Sequence, residues 1–348
     1  MSNIKNNIKL RKAEFHQMHF DSIQALRGLA AILVVLEHIR FLSCGAFGVD
    51  IFFCISGFMI MFTTYGSTEH FFLKRIIRII PFYYAMTLVT YFLLLLFPDM
   101  FEQTRVNFSY LVKSLLFIPF DIGGGVIQPL LRIGWTVNYE MFFYLLFGIS
   151  LRISHRCRGL ICGGTIAMLV VLGRLIPTTL IPFRFYSDPV LLDFILGMLC
   201  YYAAEKLYHC YSAGGISNSL CRCAFLLAAA AVICLMITKP YTNILGFGRF
   251  LYWGIPAFFI VLLFFLWGLG AKVPAFAVKL GNMSFSVFLI HYYPILFLDR
   301  KVFYFESLTF TAVIGALLSI GLILLLSYIA CLLIEKRLTG CLRRLLPR

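Results

Sequence analysis

Two residue types suited to anion binding and proton transfer interrupt one apolar stretch of this chain. Residues 22–41 read SIQALRGLAAILVVLEHIRF, with Arg27, Glu37 and His38 set among aliphatic side chains. A charge in hydrocarbon costs at least about 2.5–3.5 kcal/mol on insertion scales, so such residues are usually retained for a reason. Arg27 and His38 are eleven residues apart. On a helix that spacing falls within about 20° of three full turns, with a rise of roughly 16 Å. The pair therefore shares one face, a cation at one level and a titratable base at another. Further along come Asp50 in GVDIFFCISGFMI, Arg75 and Arg78 in FFLKRIIRIIPFYY, Glu140 in IGWTVNYEMFFY and His291 in LGNMSFSVFLIHYYP. Arginine offers a planar fork for phosphate. Histidine beside a carboxylate is an acid–base pair.

The elements that position these residues must be membrane helices. Of 348 residues, 61% are hydrophobic and 13% charged, with mean hydropathy +0.92; a soluble domain carries about 25% charged residues. Apolar runs recur along the whole length and are continuous rather than alternating. That pattern indicates an all-α polytopic membrane protein and excludes a β-barrel. We read about ten transmembrane helices, near 22–42, 46–64, 81–98, 133–151, 159–177, 190–208, 224–238, 251–270, 280–298 and 307–334. The segment 111–120 is too short to span and is expected to be re-entrant or interfacial. The polar first 20 residues and the lack of a small-residue cleavage site indicate an uncleaved signal-anchor.

The net charge of +15 would suggest nucleic acid in a soluble protein. Here it is assigned to basic cytoplasmic loops, with no nucleic-acid partner. With the N-terminus inside, the inner segments hold the larger share of Lys and Arg, so both termini are expected in the cytoplasm. The eleven cysteines are scattered through apolar segments, and only Cys221 and Cys223 are two apart; no metal site is expected. Under this topology the arginines Arg27, Arg75 and Arg78 lie toward the cytoplasm. His38, Asp50 and Glu140 lie in the outer half, with His291 about midway along its span. Such a layout suits an anionic ligand whose reactive end reaches an acid–base cluster.

These pieces together resemble the acyltransferase 3 family of integral-membrane O-acyltransferases. The resemblance rests on the Arg27–His38 pairing in RGLAAILVVLEH, GVDIFFCISGF, RIIRIIP, GWTVNYEMFFYLLF, DFILGML at 193–199, LGNMSFSVFLIH and the closing LLIEKRL. They occur in order over about residues 21–335. The expected organisation is a cytoplasmic tail at 1–20, an acyltransferase membrane domain at 21–335 and a basic cytoplasmic tail at 336–348. The branch most similar acetylates sugars of exopolysaccharides. Departures are Glu37, where the family position is apolar or aromatic, Val137 and Asn138, and Lys336 in place of a proline. No extracytoplasmic hydrolase-like domain is expected within this chain, so any second transfer partner is expected on another chain, among the polysaccharide-assembly proteins.

The resemblance implies transfer of an acyl group, usually acetyl from acetyl-CoA, to a sugar hydroxyl in the bacterial inner membrane. No permanently bound cofactor is implied. It makes His38 the base that takes the hydroxyl proton, with Asp50 or Glu140 orienting its ring and His291 as a second active-site histidine. A covalent acyl-histidine with two half-reactions fits equally. Arg75 and Arg78, with Arg27, would bind the phosphates of CoA. Trp135 and Tyr139 would meet the sugar ring. Each residue has a structural competitor: snorkelling for Arg27, interhelical hydrogen bonds for the histidines, and ordinary positive-inside charge for Arg75 and Arg78. A transporter or flippase without acyl chemistry is the alternative reading; it would call for inverted repeats, which the sequence lacks.

Overall fold

The computed structural model describes residues 13–66, 68–101, 107–238 and 246–344, and nothing of the Arg343 side chain. Several residues behind the loop-charge bias, Lys5, Lys9, Arg11, Lys12, Arg105, Lys239 and Arg348, therefore lie outside the described residues, as do parts of both expected tails. Helix dominates. Among the described residues there is no strand, only an isolated antiparallel bridge between Asp121 and Ile127.

Twelve helices carry the architecture: α1 Asp21–Glu37, α2 Gly48–Thr63, α3 Phe71–Leu96, α4 Phe108–Leu115, α5 Trp135–Ile153, α6 Arg158–Leu175, α7 Leu192–Ser212, α8 Asn218–Ile237, α9 Phe250–Gly270, α10 Ala275–Asn282, α11 Ser284–Phe303 and α12 Phe310–Leu342. Each of the ten expected spans overlaps one of them. Five, namely α3, α6, α8, α9 and α12, are long and apolar enough to cross a membrane. The pair α10 and α11, bent by 53°, makes a sixth if counted as one span. The other expected spans fall short for physical reasons. α1 and α2 have 17 and 16 residues, at or below the short end of the roughly 17–25 that a bilayer requires. α5 and α7 are longer, but Asn138 and Glu140 in one, and Asp193, Glu205 and Lys206 in the other, lower their hydropathy.

The chain divides into two compact units. The first comprises residues 1–33, 44–68 and 192–284; the second comprises 34–43, 69–191 and 285–348.

The first unit is built on glycine-mediated helix contacts. Between helices in lipid there is little hydrophobic drive, so close backbone approach through small residues supplies the packing. Helix α2 packs on α7 where Gly57 faces Gly197. A Cβ on Gly57 would sit 2.2 Å from the Phe194 carbonyl oxygen, and one on Gly197 would sit 2.1 Å from the Cys54 oxygen. Helix α1 meets α10 in the same way: Gly28 would touch the Gly281 nitrogen at 2.9 Å, and Gly281 the Gln24 oxygen at 1.8 Å. The glycines of GVDIFFCISGF, DFILGML, RGLAA and LGNM are thus contact points. Around them Phe15, Phe20, Phe58 and Phe265 form a buried aromatic cluster. Replacing Gly197 by valine is expected to destabilise the fold by about 1–3 kcal/mol or more through overpacking. The thermal midpoint of purified protein in detergent measures it; an unchanged midpoint would mean that α2 and α7 can part at no cost.

In the second unit α3 is the spine. It packs against α4, α5 and the C-terminal part of α12, while α5 packs on α6 and α11 on α12. Tyr83 on α3 donates to the Ser114 carbonyl at 3.1 Å, and the Tyr293 hydroxyl on α11 lies 2.6 Å from that of Thr90 on α3. Buried Ser286 on α11 donates to the Glu335 carboxylate on α12, which joins LGNMSFSVFLIH to LLIEKRL. One sequence expectation changes here. A span beginning at residue 81 leaves FFLKRIIRII outside the helix in a basic loop, yet α3 begins at Phe71 and Pro81 lies inside it. An interior proline costs one backbone hydrogen bond. The helix persists because Ile77 and Ile79 are buried against neighbouring helices.

Candidate active site

Helix α1 carries Arg27 half-buried within the first unit and ends at Glu37, so His38 stands in the turn just beyond. That position decides its geometry. The last carbonyls of a helix lack intrahelical partners, and the His38 Nδ1 lies 2.9 Å from one of them, the Val34 oxygen. His291 occupies the corresponding break in α11, a turn between Ile290 and Tyr292. It is fully buried, its Nδ1 is 2.6 Å from the Phe288 carbonyl oxygen, and its Nε2 is 3.3 Å from the His38 Nδ1. The two rings stand edge to face, 4.7 Å between centroids. Both histidines belong to the second unit.

An ion pair stiffens the same region. Arg40, two residues past His38, places its Nε 3.1 Å from the Asp299 carboxylate at the far end of α11. Asp299 also accepts the Phe305 N–H at 2.6 Å. The turn holding His38 is thereby tied to the helix holding His291. Glu37 accepts a hydrogen bond from the Ser43 hydroxyl at 3.3 Å.

The expected carboxylate partners are engaged elsewhere. Glu140 accepts the Tyr144 hydroxyl, four residues along α5. The Arg75 guanidinium lies 5.3 Å over the Tyr144 ring and 5.8 Å from that of Phe71. Arg78, three residues on and on the same face of α3, lies within electrostatic range of the same hydroxyl. The structure therefore groups Glu140 with the arginines it was expected to stand apart from. The hydrogen bonds of His38 go to Val34 and His291, and a carboxylate is not among them.

Asp50 sits in the first unit, fully buried. Arg249 grips it with both arms of the guanidinium, Nε to Oδ1 at 3.0 Å and an NH2 group to Oδ2 at 2.7 Å. The same NH2 group reaches the Ala46 carbonyl at 3.3 Å, and the guanidinium lies 5.0 Å from the Trp253 ring. Asp193 of DFILGML, also fully buried, lies within electrostatic range of Asp50. Sequence reasoning singled out neither Arg249 nor Asp193 as a site residue. A signal existed for the second: Asp193 and Gly197 are four apart, as are Asp50 and Cys54, so both acids lie on the faces that meet at the glycines.

The aromatic candidates divide. Tyr139 is buried, stacks on Phe185 at 4.3 Å and donates its hydroxyl to the Phe185 carbonyl at 2.9 Å. Trp135 is half-buried and meets Tyr139 edge-on at 5.8 Å. Asn138 on the same helix is fully buried, and its amide makes no hydrogen bond among the described residues. No group of three or more potential metal ligands occurs among the described residues.

A family model described as an acyltransferase domain matches residues 20–335. The chain belongs to this acyltransferase 3 family. Among curated relatives it is similar to the exopolysaccharide production protein ExoZ of Rhizobium meliloti, 34% identical over 163 residues, 45% of this chain and 50% of that protein. It is similar to the peptidoglycan O-acetyltransferase OatA of Listeria monocytogenes, 30% identical over 156 residues, 39% of this chain and 25% of that protein. It also resembles YrhL of Bacillus subtilis, described as a putative peptidoglycan O-acetyltransferase, 24% identical over 325 residues, 82% of this chain and 50% of that protein. The matched stretches span half or less of these relatives. No solved structure matches the chain. Within the family's motifs, the second histidine meets the first, while the RIIRIIP and NYE motifs meet each other through Tyr144.

Proposed function

We propose that this protein is a membrane O-acyltransferase that moves an acetyl group from acetyl-CoA to a sugar hydroxyl of a surface polysaccharide or its lipid-linked precursor. The observation that carries the reading is the His38–His291 contact within a chain of this family. A hydroxyl needs a base in the transition state, and a neutral imidazole serves that purpose near pH 7. The membrane setting is the bacterial inner membrane, crossed about ten times if α1, α2, α5 and α7 also span, with both termini in the cytoplasm. The names of ExoZ and OatA support a glycan acceptor.

In this reading His38 removes the hydroxyl proton as the oxygen attacks the thioester carbonyl. CoA leaves as the thiolate, and the proton passes to it by way of the imidazole. Arg75 and Arg78 hold the donor phosphates from one helix face, with Glu140 and Tyr144 fixing the Arg75 fork. Arg27 contributes a further cation on α1. Trp135 supplies a half-buried ring for the sugar; Tyr139 supports that ring edge-on.

Membranes expressing the protein, incubated with acetyl-labelled acetyl-CoA and isolated polysaccharide or its lipid-linked precursor, should transfer label to the glycan. Absence of transfer to any surface glycan would sink the acyltransferase reading. Arg75→Ala and Arg78→Ala are each expected to raise the KM for acetyl-CoA about tenfold or more, by losing a charge-assisted contact worth roughly 1.5–3 kcal/mol. The acceptor KM should stay unchanged. A rise in acceptor KM alone would move both residues out of the donor site.

A further inference from the structure

The hydrogen bonds around the two histidines determine where their protons sit. A backbone carbonyl only accepts, so His291 Nδ1, 2.6 Å from the Phe288 oxygen, must carry a proton. Neutral His291 then presents a bare lone pair at Nε2. The same logic applies to His38, whose Nδ1 is 2.9 Å from the Val34 oxygen and must also carry a proton. That N–H faces the His291 Nε2 at 3.3 Å, donor to acceptor. With both rings neutral, the single His38 Nδ1 proton is shared between the Val34 oxygen and the His291 Nε2. The His38 Nε2 is left as a lone pair on a half-buried ring, with no hydrogen bond among the described residues.

We propose that His291 is a positioning residue that locks His38 in the Nδ1–H tautomer and leaves Nε2 as the nitrogen that takes the acceptor's proton. This rests on the acyltransferase reading for its catalytic consequence but not for its geometry. His291 fills the place that a carboxylate holds in a His–Asp pair. It does so without a negative charge, because its own Nδ1 proton is committed to the Phe288 carbonyl. When Nε2 of His38 gains a proton, the Nδ1–H becomes a charged donor, and its bonds to the Val34 oxygen and the His291 Nε2 strengthen. The Arg40–Asp299 pair holds the segments bearing the two rings together.

Two variants separate positioning from packing. In His291→Gln the side-chain carbonyl can accept from the His38 Nδ1–H where the ring nitrogen did. His291→Leu fills the space and offers no acceptor. We expect His291→Leu to lower kcat at least about tenfold with KM values unchanged, and His291→Gln to recover most of that loss. Equal loss in both variants, or none in either, would overturn the proposal. The tautomer is read independently by solid-state NMR on protein with ¹⁵N-labelled histidine, the His38 signals being assigned by their absence in His38→Ala. Wild type and His291→Gln should show a protonated Nδ1 and a bare Nε2 on His38, and His291→Leu should lose that single form. A protonated Nε2 on His38 in the wild type would refute it. The NMR measurement decides the matter even if wild-type membranes transfer no label, a result that would count against the acyltransferase reading alone.

Discussion

Substituting His38 by alanine is expected to lower acetyl transfer by about 100- to 10,000-fold, the usual contribution of a positioned general base. The protein should still insert and remain folded. His38 is half-buried in a turn after α1, and its two hydrogen bonds are to a helix-terminal carbonyl and to His291. Removing it takes one hydrogen-bond partner from the carbonyl of buried Val34, at a cost of about 1–3 kcal/mol. Wild-type and variant membranes matched by quantitative blotting, assayed with labelled acetyl-CoA, give the ratio. The KM for acetyl-CoA should be unaltered, since the loss falls on the transition state. Transfer by His38→Ala at the wild-type rate would remove the residue from the chemistry and leave the family membership untouched.

The second large effect lies in the other unit and concerns folding. Arg249 is the cation gripping Asp50, whose carboxylate is wholly buried and stands beside the equally buried Asp193. Arg249→Ala leaves two buried acids within electrostatic range with that cation gone. Breaking a buried pair from one side costs about 3–5 kcal/mol. The Arg249 side chain is 31% exposed, so some water reaches the pair and the lower end of that range is expected. Thermal unfolding in detergent should show a lowered midpoint, with reduced yield from membranes. The double variant Asp50→Asn/Arg249→Gln removes both charges and should recover much of the loss. If Arg249→Ala melts like the wild type, the pair is not a structural requirement of the unit.

The difference between these two sites shows how far the sequence could be read. Recognising histidines and arginines in apolar runs required only the cost of charge in hydrocarbon. Placing helices at the ten apolar segments required only their continuity. Which side chains meet is not legible in this way. The resemblance implies Asp50 or Glu140 as the carboxylate beside the His38 ring, and all three are expected in the outer half. Depth along one helix says nothing about rotation about its axis. In the structure Glu140 faces the Tyr144 hydroxyl near Arg75, and Asp50 faces Arg249, which is 199 residues away in the chain. The basic stretch before Pro81 reads as a loop because the apolar span is expected to begin at residue 81. Buried isoleucines kept it helical and so set Arg75 and Arg78 on one face.

By itself the sequence determined that this is an all-helical, membrane-type chain of the acyltransferase 3 family, and which residue types stand ready for chemistry. Composition and local order carry that information because hydrophobic runs, glycine positions and charge costs are local properties. Tertiary structure decided the partners. His38 meets a histidine instead of a carboxylate because α1 stops one residue short of it. That places its ring at the helix end, opposite the break in α11, where a hydrogen-bond acceptor is already oriented. The choice depends on how residues 34–43 and α11 approach each other within the second unit, and such long-range packing is specified by contacts that no single stretch of sequence contains.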